Sequence, residues 1–285
     1  MKKKFWNLLK TIAKFLLTGI ALYWVFTKIN FTEVLGIIGK SRILDMTIAI
    51  GLFALSKVIA STRLNLIFKE TNIDIDFQPN LKLYWLGMFY NLFLPGGIGG
   101  DGYKIYLLNK TKGASVKSAF GAVFVDRLVG VLALTVLVTF IVPFIQQIFP
   151  YQKFTFLLTF LLIGGFYLFL RLFYKLYLGI YPTIFVYSLG VQMLQLICAY
   201  FILSALGYQD EVFKYLTLFL ISSIVAILPL TIGGVGAREF TFLIGANYLA
   251  LDPEISVALS LSFYLITALV SLVGIIWVIK PIKLD

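Results

Sequence analysis

Residues 94–104 read LPGGIGGDGYK and residues 228–238 read LPLTIGGVGAR. The two stretches align without gaps, and six of the eleven positions are identical: Leu94/Leu228, Pro95/Pro229, Ile98/Ile232, Gly99/Gly233, Gly100/Gly234 and Gly102/Gly236. Lys104 aligns with Arg238, so both copies end on a cation. Each copy interrupts a longer apolar stretch, 81–108 in one case and 215–250 in the other. Proline removes a backbone donor and glycine costs about 1 kcal/mol against alanine in a helix, so neither stretch can run as one helix. The spacing predicts a helix, a break, and a second short helix turning back. The break residues are Pro95, Gly99, Gly100 and Gly102 in the first copy and Pro229, Gly233, Gly234 and Gly236 in the second. A plainer alternative makes them packing kinks that let helices approach closely.

Working outward, the composition says which solvent surrounds these breaks. The chain has 285 residues, 60% of them hydrophobic and 13% charged. Soluble domains carry roughly 45–50% apolar residues, so an ordinary soluble protein is excluded and lipid becomes the expected solvent. Histidine is absent and Cys198 is the single cysteine. Histidine-based metal sites, histidine-activated nucleophiles and disulfide frameworks are therefore excluded, and neither a metal nor a cofactor is expected. GIGGDG (97–102) matches the dinucleotide-binding pattern, but no strand precedes it and no βαβ unit surrounds it.

Spanning helices need about 20 mainly apolar residues. Candidates run from Thr11 to Thr27, Ile43 to Phe68, Leu128 to Ile148, Phe154 to Leu170, Thr183 to Leu206 and Ile255 to Ile279. The first follows Lys2, Lys3 and Lys4 but lacks a small-residue cleavage site, which makes it an uncleaved anchor. With a cytoplasmic N-terminus and each broken stretch returning to its own side, 18 of the 24 basic residues fall on the cytoplasmic side and five outside. Arg238 is left at membrane depth. The basic excess that first suggests nucleic acid is thus absorbed by topology, since cytoplasmic loops are rich in Lys and Arg.

The resulting expectation is an all-α polytopic membrane protein with about six spans and two re-entrant hairpins. Both termini are expected in the cytoplasm and the whole in the cytoplasmic membrane. The repeat divides the chain into halves 1–148 and 149–285. Each half carries three spans, so the second is upside down relative to the first. Paired interruptions in inverted halves are a sequence pointer to a midplane binding site in transporters.

Intramembrane charges are costly, about 2.5–3.5 kcal/mol each on insertion scales, and so they need a reason. Asp101 falls in the first break; Arg238 and Glu239 close the second. Asp126 and Arg127 stand at the entrance to the span that begins at Leu128. Lys57 and Arg63 lie in the second half of the Ile43 span, where Lys57 is expected to snorkel to the cytoplasmic face. Arginines near helix N-termini suit a phosphate-bearing headgroup, because backbone N–H groups and guanidinium forks both favour it. Asp101 and Glu239 would hold the arginines while the site is empty, or meet the cationic part of a zwitterionic lipid.

Four blocks also carry a resemblance. NLFLPGGIGGDGYKIYLL (91–108), AFGAVFVDRLVG (119–130), LPLTIGGVGAREFTFL (228–243) and the arginine of STRLNLIF (61–68) resemble the lysylphosphatidylglycerol synthase transmembrane-region family. That family includes the flippase half of the multiple peptide resistance factor. The resemblance implies a bacterial or archaeal membrane protein that moves lipids or lipid-linked headgroups between leaflets. It covers nearly the whole chain, with two departures. Larger members carry a soluble aminoacyl-transferase domain, whereas this sequence ends at Asp285, so lipid lysylation is not expected. Lys104 stands where many members have arginine, which keeps charge but loses bidentate geometry.

The leading expectation is a flippase-like transporter, not an enzyme, for an anionic phospholipid or a polyprenyl-phosphate-linked headgroup. Its substrate-binding residues would be Arg63, Asp101, Lys104, Asp126, Arg127, Arg238 and Glu239. The alternatives are an intramembrane headgroup transferase or phosphatase, and an accessory subunit of envelope-lipid assembly.

Overall fold

The computed structural model describes residues 16, 23, 27–28, 30–93, 99–145, 152–227, 236–282 and 284. Among these, helices are the only regular elements. They are α1 (Phe31–Gly39), α2 (Ile43–Glu70), α3 (Phe77–Phe93), α4 (Gly99–Lys112), α5 (Val116–Ile141), α6 (Gln152–Phe173), α7 (Tyr181–Ala205), α8 (Val212–Ile227), α9 (Ala237–Leu249) and α10 (Pro253–Leu272). A 3₁₀ turn, Val273–Ile275, carries α10 on into the last helical turn, α11 (Ile276–Ile279). Five of these helical runs are long and apolar enough to cross a membrane: Ile43–Glu70, Val116–Phe144, Phe154–Phe173, Tyr181–Ala205 and Pro253–Ile279. The protein is an all-helical, multi-pass membrane protein. The expected first span, Thr11 to Thr27, lies almost wholly outside the described residues.

Local chemistry sets the helix ends. Asn30 caps α1 by accepting from the Glu33 N–H, Ser115 caps α5 at 3.0 Å from the Ser118 N–H, and Asp252 caps α10 at 2.9 Å from the Ile255 N–H. Proline follows the Asp252 cap, where its missing donor costs nothing. Inside the helices, apolar residues are distributed all round, as helices buried in a bundle and bathed in lipid require.

Both broken stretches fold as antiparallel helix pairs. In the first, α3 and α4 lie so close that a Cβ on Gly100 would stand 1.8 Å from the Gly87 carbonyl oxygen. Asn91 accepts the Gly100 N–H at 2.8 Å, and the Tyr90 and Tyr103 rings meet at 4.5 Å. In the second, the Cβ position of Gly245 on α9 presses on Leu218 of α8, and Arg238 reaches back to Ser223. The long helices α2 and α7 pack together along their length at the centre. Around them the contacts are reciprocal: α3 lies against α10, and α8 lies against α5. Phe53 of α2, Phe219 of α8 and Phe263 of α10 meet edge to face, with centroids 5.4 and 4.7 Å apart, at the heart of the core. One clamp binds the start of α2 to the end of α7. Arg42 donates to the Ser204 carbonyl at 2.6 Å and to its hydroxyl at 2.7 Å, and pairs with Asp45 at 3.0 Å.

Two expectations need correction. The span placed at Leu128 is a longer helix that begins at Val116, so Asp126 and Arg127 are not at its entrance but well inside it. Gly99, Gly100 and Gly102 do not break the chain; all three belong to α4. The remaining residues of that interruption, 94–98 with Pro95, lie outside the described residues, as do Pro229, Gly233 and Gly234. Gly236 lies among the described residues. It precedes α9 with φ +85°, a left-handed conformation that favours glycine.

Candidate functional site

A polar cavity of about 370 Å³ sits where the central helices meet both hairpins. Its size falls at the lower end for small-molecule sites. Residues from α2, α3, α4, α5, α7, α8, α9 and α10 all contribute to its wall. Six of the seven residues singled out from sequence line it: Arg63, Asp101, Lys104, Asp126, Arg127 and Arg238.

These charges are organised into three groups. Arg63 of α2 donates through Nε to Asp126 of α5 at 2.7 Å and through Nη1 to the Ser188 hydroxyl of α7 at 2.8 Å. Gly130, one helical turn beyond Asp126, offers no side chain and lets the guanidinium pass, with Nη1 3.6 Å from its Cβ position. Asp101 of α4 serves two cations. Its Oδ1 accepts from Lys104 at 3.1 Å and its Oδ2 accepts from Arg127 Nε. The Lys104 ammonium also lies 4.5 Å from the centre of the Tyr84 ring. Buried carboxylates and cations survive at such depth when each is paired and hydrogen-bonded, and both groups meet that condition.

Arg238 makes the third group, and it differs. Its guanidinium packs against the edge-to-face pair Phe219 and Phe263, with the ring centres 5.3 and 4.6 Å away. One Nη donates to the Ser223 hydroxyl at 2.7 Å. Its buried Nε–H has no acceptor among the described residues. None of the ion pairs among them includes Arg238 or Lys57. Asp285 is the one acidic residue of the chain that those residues leave out.

Glu239, the seventh predicted residue, takes no part in the cavity wall. Its Oε2 accepts the Gly236 N–H at 2.8 Å and its Oε1 accepts the Ser260 hydroxyl at 2.9 Å. It caps α9 and ties it to α10. Lys57, expected to snorkel outward, instead lines the cavity with its ammonium 4.2 Å from the Phe53 ring centre. The N–H groups of Gly100 and Gly236, expected to face an anion, are already taken by Asn91 and Glu239. Those two donors are therefore not open to an anion.

Sequence reading missed the neutral part of the wall: Tyr84 and Asn91 on α3, Gln192 and Gln195 on α7, and Tyr264, Thr267 and Ser271 on α10. Their spacings of three, four and seven put each set on one helix face. A polar stripe within an apolar span was the available signal.

With this geometry in hand, comparison with known proteins is informative. Residues 11–181 and 175–274 match the family described as the lysylphosphatidylglycerol synthase transmembrane region. A UPF0104 membrane protein of Pyrococcus horikoshii is similar to this chain, 25% identical over 119 residues. That alignment spans 41% of this chain and about a third (34%) of the relative's length.

Proposed function

The chain belongs to the lysylphosphatidylglycerol synthase transmembrane-region family, and on that premise we propose that it moves a phosphate-bearing amphiphile between leaflets. The observation that carries this reading is the shared cavity. Five cations and two carboxylates, drawn from both broken stretches and from the central helices, face one space of headgroup size. Charges of this number are expensive at membrane depth and are kept where a substrate path uses them.

In this reading the two halves form an inverted repeat. The order long helix, short helix, short helix, long helix recurs from α2–α5 to α7–α10, and the reciprocal contacts α3–α10 and α5–α8 are what a two-fold relation would produce. The hairpins are re-entrant, and rocking of one half against the other exposes the headgroup to alternate sides. Arg238 and Lys57 receive the phosphate. Lys104 and Arg127 exchange part of their hold on Asp101 for the ligand, and the acyl or prenyl tails stay in lipid. The role is transport rather than catalysis, in the cytoplasmic membrane with both termini inside.

The test is leaflet exchange in reconstituted vesicles. Tail-labelled phosphatidylglycerol, phosphatidic acid and polyprenyl phosphate are each incorporated, and an impermeant reductant bleaches the label in the outer leaflet. The expected result is bleaching that proceeds to the inner pool for at least one probe. Bleaching that stops at the outer leaflet for all three, as in protein-free vesicles, overturns the reading.

A further inference from the structure

We infer that the cavity selects a terminal phosphate carrying two or more negative charges, a phosphomonoester or diphosphate, over a singly charged phosphodiester. This deepens the transport reading and rests on it for the claim that the ligand is a lipid. The first observation is the charge balance of the wall. Lys57, Arg63, Lys104, Arg127 and Arg238 face Asp101 and Asp126, so three positive charges are left over. The surplus is localised. Arg63 and Asp126 neutralise each other, whereas Asp101 is one carboxylate shared by Lys104 and Arg127. Lys57 and Arg238 have no carboxylate among the described residues, and both line the same cavity as Arg63.

The second observation is that the unpaired guanidinium is preorganised. The paired Phe219 and Phe263 rings back it and Ser223 takes one donor, which restricts its orientation and leaves the buried Nε–H without an acceptor among the described residues. A group held this way loses little freedom when an oxyanion arrives. One phosphodiester charge would satisfy Arg238 or Lys57 and leave the other uncompensated in a low-dielectric site. A terminal phosphate brings a second charge and a third unsubstituted oxygen, enough for both cations and for the donor released by the shared Asp101.

The experiment is competitive binding to the purified full chain in detergent, using dioleoyl phosphatidic acid, dioleoyl phosphatidylglycerol and inorganic phosphate at pH 8. Phosphatidic acid is expected to bind about tenfold tighter than phosphatidylglycerol, the gain of one charge-assisted hydrogen bond. The Lys57→Gln/Arg238→Gln double variant is expected to bind both lipids alike, and the Glu239→Gln variant to keep the preference. Equal affinity of the unaltered protein for the two lipids overturns the inference. Inorganic phosphate competing at the same concentration as phosphatidic acid upholds the charge selection but overturns the lipid reading. A preference in binding with no leaflet exchange of any probe likewise upholds the selection while the transport reading falls.

Discussion

The two hairpins carry the same eleven-residue motif and yet present their terminal cations in opposite states. In the first, Lys104 pairs with Asp101, which also holds Arg127. In the second, Arg238 has aromatic rings and a serine but no carboxylate among the described residues. The alignment explains the difference, because Val235 stands where the first copy has Asp101. The second copy does have an acid, Glu239, but it is spent on the Gly236 N–H and Ser260. A repeated motif thus fixes where the cation goes, while residues that vary between the copies decide whether its charge is compensated. One hairpin stores charge in a closed group and the other leaves it available.

That contrast can be broken or sharpened by substitution. The largest effect is expected from Asp126→Ala, which strands the buried Arg63 guanidinium and should cost about 3–5 kcal/mol in thermal unfolding in detergent. Gly100→Ala should come next. Its Cβ would collide with the Gly87 carbonyl, and overpacking of backbone on backbone costs about 1–3 kcal/mol, whereas Gly102→Ala meets nothing within 4 Å and should leave the unfolding temperature unchanged or slightly raised. Arg238→Ala should separate stability from activity. Removing a cation that has no acidic partner among the described residues should cost only its ring packing and one hydrogen bond, about 1–2 kcal/mol, while abolishing leaflet exchange. An equal loss of stability in Arg238→Ala and Asp126→Ala would erase the distinction between the hairpins. The smallest effect is expected from Glu239→Gln, where one of two hydrogen bonds is lost for about 1 kcal/mol and exchange continues.

Much of this was legible in the sequence because lipid imposes simple rules. Apolar length located the long helices, and the paired interruptions located both hairpins, since a chain at depth cannot leave backbone groups unsatisfied. Intramembrane charge pointed to six of the cavity's charged residues. The errors share a cause. Asp126 and Arg127 ended the span in a hydropathy reading because charge lowers hydropathy, but a paired charge is tolerated within a helix and Arg63 and Asp101 supply the pairing from other helices. Lys57 is read as snorkelling because its long stem could carry the charge to the interface, and the pocket that receives it is a tertiary feature. Glycines 99, 100 and 102 looked like breakers. In α4, Gly100 serves the contact with Gly87, which only the packed structure reveals. Glu239 closes the second break beside Arg238 and is read as a ligand residue on that position alone, yet successive residues of a helix point about 100° apart.

The Arg42 clamp has a mechanical consequence. It ties the first turn of α2 to the last turn of α7, so any parting of the two central helices in the proposed cycle is expected at their other ends. With 28 residues, α2 is a lever of roughly 42 Å, and a tilt of about 5° about the pinned end sweeps its free end through roughly 4 Å. In the proposed transport cycle such a fulcrum would turn a small angular change into an aperture at the opposite face.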